Sequence, residues 1–168
     1  MPTLRPRDTD FIDSASTRIT TTVTVNATPD EVWAVLADNE RWPEWFPAAK
    51  ECRTTSDAAE GVGATRWIHV DVLKVNERFV AWDPPQRWAF TILDANLPGF
   101  VSMVEQALIE PADEHRTVVT YVVAADLAPY MRPLIPFLRR RIGAMFEKGL
   151  PGIEYQVVRL REETTSRQ

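Results

Sequence analysis

The sequence contains little of what several common kinds of functional site require. Its single cysteine, Cys52, cannot form an intramolecular disulfide, and its two histidines, His69 and His115, do not cluster with it. We therefore expect no metal site and no Cys–His nucleophile pair. The sequence has no glycine-rich phosphate loop, so no cofactor is expected. No apolar run reaches the roughly 18 residues of a membrane-spanning helix, so stable membrane insertion is not expected.

Positive charge is also scarce. Lysine and arginine total 19 against 24 aspartate and glutamate residues, which gives a net charge of -5. The only basic run, residues 139–141, is better explained as the solvated side of a helix than as a phosphate site. Nucleic acid is not an expected partner, because it requires a broad basic face. Residues 1–10 lack the apolar stretch of a secretion signal, and the lone cysteine suits a reducing compartment, so we expect a cytoplasmic protein.

Apolar and aromatic residues, by contrast, are abundant. Hydrophobic residues make up 45% of the 168 positions and include six tryptophans and seven phenylalanines. A chain of this length can bury one substantial core, and its aromatic residues can fill that core or line a pocket. Polar composition predicts a flexible tail over residues 1–16 and a frayed end over residues 163–168. A single domain is therefore expected over residues 17–162.

Residue spacing and turn signals predict the order of the secondary structure. A β-branched strand over residues 18–25 is followed by the sequence TPDE, in which Thr28 and Glu31 can form a capping box at a helix start. A second short helical turn is predicted over residues 40–46. Six further strands, with short connections typical of antiparallel neighbours, are then predicted. These strands cover residues 49–56, 63–70, 73–82, 87–93, 100–110 and 116–124.

A long amphipathic helix is predicted after residue 125. Its apolar stripe consists of Ile135, Leu138, Ile142, Met145 and Gly149. Pro151 removes a backbone donor, which predicts a kink or break before the helix continues. This helix is the only element large enough to cover the apolar face of a seven-stranded sheet. The predicted α+β fold is therefore a curved antiparallel sheet wrapped around a long C-terminal helix, with two short helices after the first strand.

Five segments between residues 18 and 160 are similar to those of a known family: VNATPDEVWAVLAD, RWPEWFP, GVGATRW, NERFVAWDPPQRWAFTI and HRTVVTYVV. They resemble the helix-grip fold of START-related (SRPBCC) proteins, in particular the polyketide cyclase/dehydrase branch. The segment KGLPGIEYQV departs from this pattern, because family members usually carry an uninterrupted helix there. The resemblance implies a cavity between sheet and helix for an apolar or amphipathic molecule. Members include lipid and sterol carriers, quinone-binding proteins and aromatase/cyclases.

Strand alternation and the helical stripe together suggest which side chains line such a cavity. Each of the aromatic residues can instead simply fill the core. The candidate ligand-binding residues are Trp67, His69, Glu77, Phe90, Met103 and Tyr121 from the strands, and Leu138, Ile142 and Met145 from the helix.

Glu77, His69 and Tyr121 are the candidates for acid–base chemistry. If Glu77 points inward, burial raises its pKa and lets it act as an acid, a base or a hydrogen-bond anchor. Alternatively, it is a surface carboxylate paired with Arg66 or Arg78. His69 can transfer protons near neutral pH, although a lone strand histidine is more often structural or exposed.

Three functions remain open at this point. We favour a carrier or sensor that binds a small hydrophobic or amphipathic molecule, such as a lipid, a quinone or a polyketide-like compound. The first alternative is a cyclase or dehydratase that uses acid–base residues in the same cavity. The second is a protein-interaction module with a filled core and an exposed apolar patch. Fold alone does not choose among them.

Overall fold

The computed structural model describes residues 1–166. Within them, one seven-stranded antiparallel sheet has the spatial order β1-β7-β6-β5-β4-β3-β2. Strands β2 to β7 follow one another in sequence order, and β1 pairs with the last strand, β7. The predicted hairpin at Asp71 is confirmed, since Val70 pairs with Leu73 across a two-residue turn. The strands are β1 (Thr17–Val25), β2 (Ala49–Thr54), β3 (Thr65–Val70), β4 (Leu73–Asp83), β5 (Arg87–Ala95), β6 (Phe100–Pro111) and β7 (Thr117–Leu127).

Helices lie before, between and after these strands. The predicted capping box is present at the second of them, because Thr28 accepts from the Glu31 amide while the Glu31 carboxylate accepts from the Thr28 amide. The α-helices are α1 (Phe11–Ser14), α2 (Pro29–Ala37), α3 (Trp42–Trp45), α4 (Ile135–Gly149) and α5 (Gly152–Thr165). Turns of 3-10 helix cover Asn39–Arg41 and Pro129–Leu134.

The predicted break at Pro151 is confirmed as the boundary between α4 and α5. Two glycines beside it allow the chain to approach α3 closely. A Cβ at Gly149 would overlap the Phe46 ring, and a Cβ at Gly152 would overlap the Trp45 carbonyl oxygen. The segment that interrupts the helix therefore also closes one end of the interior.

The main core lies between the sheet and the helices. Trp88, Phe90 and Ile92 of β5 face this core, as alternation predicts. Together with the short helices after β1 and the long C-terminal helical segment, this arrangement confirms the predicted α+β helix-grip fold. No helix in residues 1–166 is both long enough and apolar enough to cross a bilayer.

The first residues pack more closely than a flexible tail would. The Leu4 and Arg5 amides donate to the Leu93 and Val101 carbonyls, and Leu4 is buried. Phe11 and Ile12 of α1 are buried against the outer face of β6 and β7. At the other end, α5 continues to Thr165, into the segment that we expected to fray. Residues 167 and 168 of that segment lie outside the described residues.

Candidate functional site

An apolar cleft opens between α4 and the hairpin that joins β3 to β4. Its volume is about 280 Å³. Lys50, Asp71 and Arg141 are the charged residues of its lining, and Arg141 forms an ion pair with Asp71. The other lining residues are Pro47, Ala48, Val70, Val72, Leu73, Leu97, Phe100, Leu138, Ile142 and Met145.

The cleft is open because the first half of α4 is not packed down onto the sheet. Leu138 and Ile142, which lie on the apolar stripe, remain partly exposed, whereas Phe146 at the end of the same helix is buried. Asp71 holds the opposite side of the mouth in a left-handed turn with φ 54°, and its amide donates to the Ala48 carbonyl. A mainly apolar concave surface with a few polar residues at its edge is typical of small-molecule sites.

A smaller cavity lies deeper, against the sheet. Its volume is about 50 Å³, and Val70, Leu73 and Met145 line both this inner cavity and the outer cleft. Four polar side chains reach its wall: Arg66, Glu77, Glu105 and Tyr121. The remaining wall residues are apolar, namely Trp42, Phe46, Ile68, Val75, Phe90, Ile92 and Phe146, together with the three shared ones.

The first polar pair in the inner cavity is Arg66 with Glu77. These residues face each other across β3 and β4, and Arg66 Nε donates to Glu77 Oε2 at 2.5 Å. Arg66 Nη1 also donates to Asn39 Oδ1 at 3.1 Å. Both members of the ion pair are almost completely buried, so neither charge is solvated by bulk water.

Aromatic rings surround the Arg66 guanidinium. Its central carbon lies 4.5 Å from the ring centroid of Trp42 and 4.8 Å from that of Phe90. Trp88 and Phe79 follow at 5.2 and 5.4 Å. Burial lowers the pKa of Arg66, but the Glu77 carboxylate more than offsets this, and the pKa lies above its ordinary value. Arg66 is therefore a fixed cation inside the core.

The second polar pair is Glu105 of β6 with Tyr121 of β7. The Tyr121 hydroxyl lies 2.6 Å from Glu105 Oε2, and the Tyr121 ring stacks on Phe146 with centroids 4.2 Å apart. Burial, with repulsion from Glu77, raises the pKa of Glu105 to about 8, although the hydrogen bond from Tyr121 opposes the rise. Burial and the nearby Glu105 raise the pKa of Tyr121 well above its ordinary value.

These two pairs leave the inner cavity with two carboxyl groups and one guanidinium. Arg66 contacts Glu77 directly, so Glu77 is the carboxylate whose negative charge is compensated. Burial raises the pKa of Glu77, and the adjacent guanidinium opposes that rise. Among the described residues, Glu105 has the hydroxyl of Tyr121 as its hydrogen-bond partner, and the rise in its pKa on burial favours the protonated form, which can donate a hydrogen bond.

The structure brings together six of the nine predicted ligand-binding residues. Glu77, Phe90, Tyr121 and Met145 line the inner cavity, while Leu138, Ile142 and again Met145 line the cleft. Met103 faces the core and is buried, but it lines neither space.

Trp67 and His69 were wrongly predicted to face inward. Both side chains are partly exposed, and Trp67 packs under the Arg53 guanidinium, which lies 4.7 Å from its ring centroid. Their neighbours Arg66 and Ile68 are the residues of β3 that face the cavity. His69 therefore lies outside the inner cavity and is not a candidate for acid–base chemistry there.

The cross-strand register explains this error and shows how it could have been avoided. Arg66 lies directly opposite Glu77, and directly opposed residues share a face of the sheet. Placing Glu77 inside therefore requires Arg66 to be inside as well. The same alternation along β6, starting from Met103, would also have placed Glu105 inside.

Other polar chemistry is sparse in the part of the chain that the structure describes. No group of three histidine, cysteine, aspartate or glutamate side chains there is arranged to hold a metal ion. Burial raises the pKa of Cys52 to about 12, so this residue remains a thiol rather than a nucleophilic thiolate.

Comparison with known proteins places this site in a family context. A family described as "Polyketide cyclase / dehydrase and lipid transport" matches residues 16–157. An uncharacterized protein of Mycobacterium tuberculosis is 27% identical over 126 residues, which cover 74% of this chain and 75% of that protein.

Solved structures show the same fold at low sequence identity. A protein of Thermus thermophilus has a TM-score of 0.72 and 16% identity, covering 86% of this chain and 99% of its own. A START superfamily protein of Mycobacterium smegmatis has a TM-score of 0.70 and 15% identity, with 85% and 98% covered. The Zhui aromatase/cyclase of Streptomyces sp. R1128 has a TM-score of 0.65 and 22% identity, with 89% and 95% covered.

Proposed function

The chain belongs to the polyketide cyclase/dehydrase and lipid transport family, and on that premise we propose that it is a carrier or sensor for a small, mainly apolar molecule. The observation that carries this proposal is the open cleft of about 280 Å³ beside α4. This volume is near the lower end of the roughly 300–1,000 Å³ found for small-molecule sites. A lipid chain, a quinone or a polyketide-like compound has the required apolar character.

The inner cavity suggests how such a ligand is oriented. Its volume of about 50 Å³ exceeds the roughly 30 Å³ that one water molecule occupies, but it is too small for a ring. We infer that the apolar body of the ligand lies in the cleft while a small polar group points inward. Because the Tyr121 hydroxyl donates to Glu105, the protonated Glu105 carboxyl leaves one hydrogen-bond donor free there, which favours a neutral acceptor such as a carbonyl oxygen. A ligand with a free ammonium group is disfavoured, because the inner cavity offers it no carboxylate whose negative charge is uncompensated.

A test of binding can use the neutral dye N-phenyl-1-naphthylamine, which becomes fluorescent in apolar sites. Ile142 lines the cleft, and the larger side chain of Ile142→Trp fills it. We expect this variant to bind the dye at least about tenfold more weakly than the wild type, because the displaced volume is no longer accessible. The matched control is Val158→Trp, which introduces the same side chain at an exposed position of α5.

Equal dye binding by the wild type and a folded Ile142→Trp protein would refute the cleft as the binding site. Circular dichroism and the melting temperature establish that the variant is folded. Native mass spectrometry of the wild-type protein, released from cells under mild conditions, then identifies any co-purified ligand.

An acid–base enzyme is the second candidate, and the Glu105–Tyr121 pair is the observation that favours it. The pKa of Glu105 near 8 is suited to proton transfer around neutral pH. The test is exchange of the protons beside the carbonyl groups of a bound β-diketone, followed by NMR in heavy water. Exchange faster than in solvent alone, slowed to that background rate by Glu105→Gln without loss of binding, would support an enzyme. A module with a filled core fits poorly, because the cleft leaves the interior open.

A further inference from the structure

Exposed apolar side chains lie on the three segments that border the cleft, and two of them, Val72 and Leu97, line it. We call this group the rim, and it consists of Val72, Leu97, Tyr130, Leu134 and Phe137. Tyr130 is 67% exposed and Phe137 is 61% exposed, which is unusual for aromatic side chains in a protein with a well-packed core. Such a concentration of exposed apolar surface marks an interaction site.

Direct contacts hold the parts of the rim together. The Ala128 amide donates to the Gly99 carbonyl at 2.8 Å, which joins the segment before α4 to the loop that carries Leu97. The ion pair of Arg141 with Asp71 joins α4 to the hairpin that carries Val72. Three connected segments beside the cleft therefore carry exposed apolar side chains.

The start of α4 has an amphipathic arrangement that remains in contact with water. At 3.6 residues per turn, Leu134, Phe137, Leu138 and Arg141 fall on one side of the helix. Arg139 and Arg140 lie on the opposite side, roughly 150° and 110° around the helix from its centre, and both are exposed. An apolar side opposed by an arginine-bearing side is typical of helices that lie in a membrane interface.

Charge separates this region from the remainder of the protein. Residues 127–146 contain four arginines, Arg132, Arg139, Arg140 and Arg141, and no aspartate or glutamate. The whole chain nevertheless has a net charge of -5. A negatively charged surface is therefore attracted to this one region and repelled by most others.

From the rim and its arginines, we propose that the protein docks reversibly on the surface of an anionic lipid bilayer. Tyr130, Leu134 and Phe137 enter the headgroup region, and the arginines contact anionic headgroups. The mouth of the cleft then faces the bilayer, so an apolar ligand can pass between the two without crossing water. A bilayer suits the rim better than a second copy of this chain, because in a symmetric dimer the arginines of the two rims would face and repel each other.

The test is cosedimentation of the protein with vesicles of phosphatidylglycerol and phosphatidylcholine, and with vesicles of phosphatidylcholine alone. We expect binding to the anionic vesicles that weakens with added sodium chloride, and little binding to the neutral ones. The double variant Arg139→Gln/Arg140→Gln and the single variant Phe137→Ser should each reduce partitioning on the order of tenfold.

Matched controls replace similar residues elsewhere. Tyr155→Ser removes an aromatic residue on α5 that is 64% exposed, and Arg53→Gln/Arg78→Gln removes two exposed arginines from the sheet. Both should partition like the wild type. Equal loss in the controls, or no binding of the wild type to anionic vesicles, would overturn the proposal.

Two other occupants of the rim give different outcomes. A dimer detected by light scattering in solution and abolished by Phe137→Ser would assign the rim to a second copy and overturn bilayer docking. The Phe137→Ser and arginine variants could instead bind vesicles as the wild type does but fail to bind an acidic protein partner. That result would assign the rim to the protein partner and overturn bilayer docking. Dye binding in the absence of vesicles is measured separately, so failure of docking is distinguishable from failure of the proposed ligand site.

Discussion

The two ends of the interior, covered by α5 and by the start of α4, differ in how tightly they are packed. At the closed end, Phe46, Leu150 and Ile153 are at most 1% exposed. At the open end, Leu138, Ile142 and Met145 remain partly exposed around a cleft of about 280 Å³. Both ends are covered by one helical segment, interrupted only at residues 150 and 151.

The difference between the two ends comes from what each helix brings to the sheet. The glycines at 149 and 152 let the chain reach α3, and the rings of Trp42, Trp45 and Phe46 fill the closed end. At the open end, exposed arginines and the ion pair of Arg141 with Asp71 lie where apolar side chains would be needed to close the cleft. An apolar stripe on a helix therefore does not by itself imply a filled core.

The largest effect is expected from breaking the ion pair deep in the interior. Arg66→Met leaves Glu77 buried without its cation, which should lower the free energy of unfolding by about 3–5 kcal/mol. The double variant Arg66→Met/Glu77→Leu removes both charges and should recover most of this loss. Urea denaturation measures both values, with Arg53→Met of an exposed ion pair as the control.

Equal losses in the single and double Arg66 variants would contradict this interpretation. They would indicate that packing of the Arg66 side chain, rather than the uncompensated charge of Glu77, accounts for the stability.

A direct comparison of the two ends follows from truncating one aliphatic residue in each. Ile153→Ala at the closed end should cost about 2–5 kcal/mol, because this side chain is fully buried. Leu138→Ala at the open end should cost less than about 1 kcal/mol, since much of its surface already faces water or the cleft. Thermal and urea unfolding of both variants measure the difference. Similar costs would show that the open end is packed as tightly as the closed one.

A pH dependence is expected from Glu105, which lies in the wall of the inner cavity. Folding raises the pKa of Glu105 from 4.5 to about 8, so between these values the folded state holds a proton that the unfolded chain has lost. The free energy of unfolding should therefore fall by about 1.4 kcal/mol for each unit that the pH rises in this range. Glu105→Gln stays neutral, so the difference between the wild type and this variant isolates the contribution of Glu105.

The measurement is urea denaturation of both proteins across that pH range. Parallel pH profiles would exclude Glu105 as the source of the dependence. A difference that grows as the pH is lowered would contradict the sign of the shift.

Most of the fold was predictable because it depends on local rules. The strand after Pro85, the capping box at Thr28 and the break at Pro151 each follow from a short stretch of sequence. The packing of Phe11 and Ile12 was not predictable in this way, because their partners Val104 and Val122 lie far along the chain. Composition alone therefore suggested a flexible tail for a segment that packs on the sheet.

The candidate site was predictable only in part. Phe90 and Tyr121 were placed correctly on the inner face of the sheet by counting every second residue along their strands. In β3, the sequence TRWIHV has an arginine on the face that also carries Ile68 and Val70. The prediction turned the other face inward because that face carries the large apolar side chain of Trp67. The opposite choice was correct because Arg66 is stabilised by Glu77 and by aromatic rings from other elements.

The sequence by itself determined the order of the elements, the antiparallel hairpins and the interruption of the C-terminal helix. These features depend on backbone geometry and on residues close together in the chain. Only the tertiary structure decided which face of β3 turns inward and that the start of α4 leaves a cleft open. Burial, charge compensation and packing depend on which distant segments meet, and no local pattern contains that information.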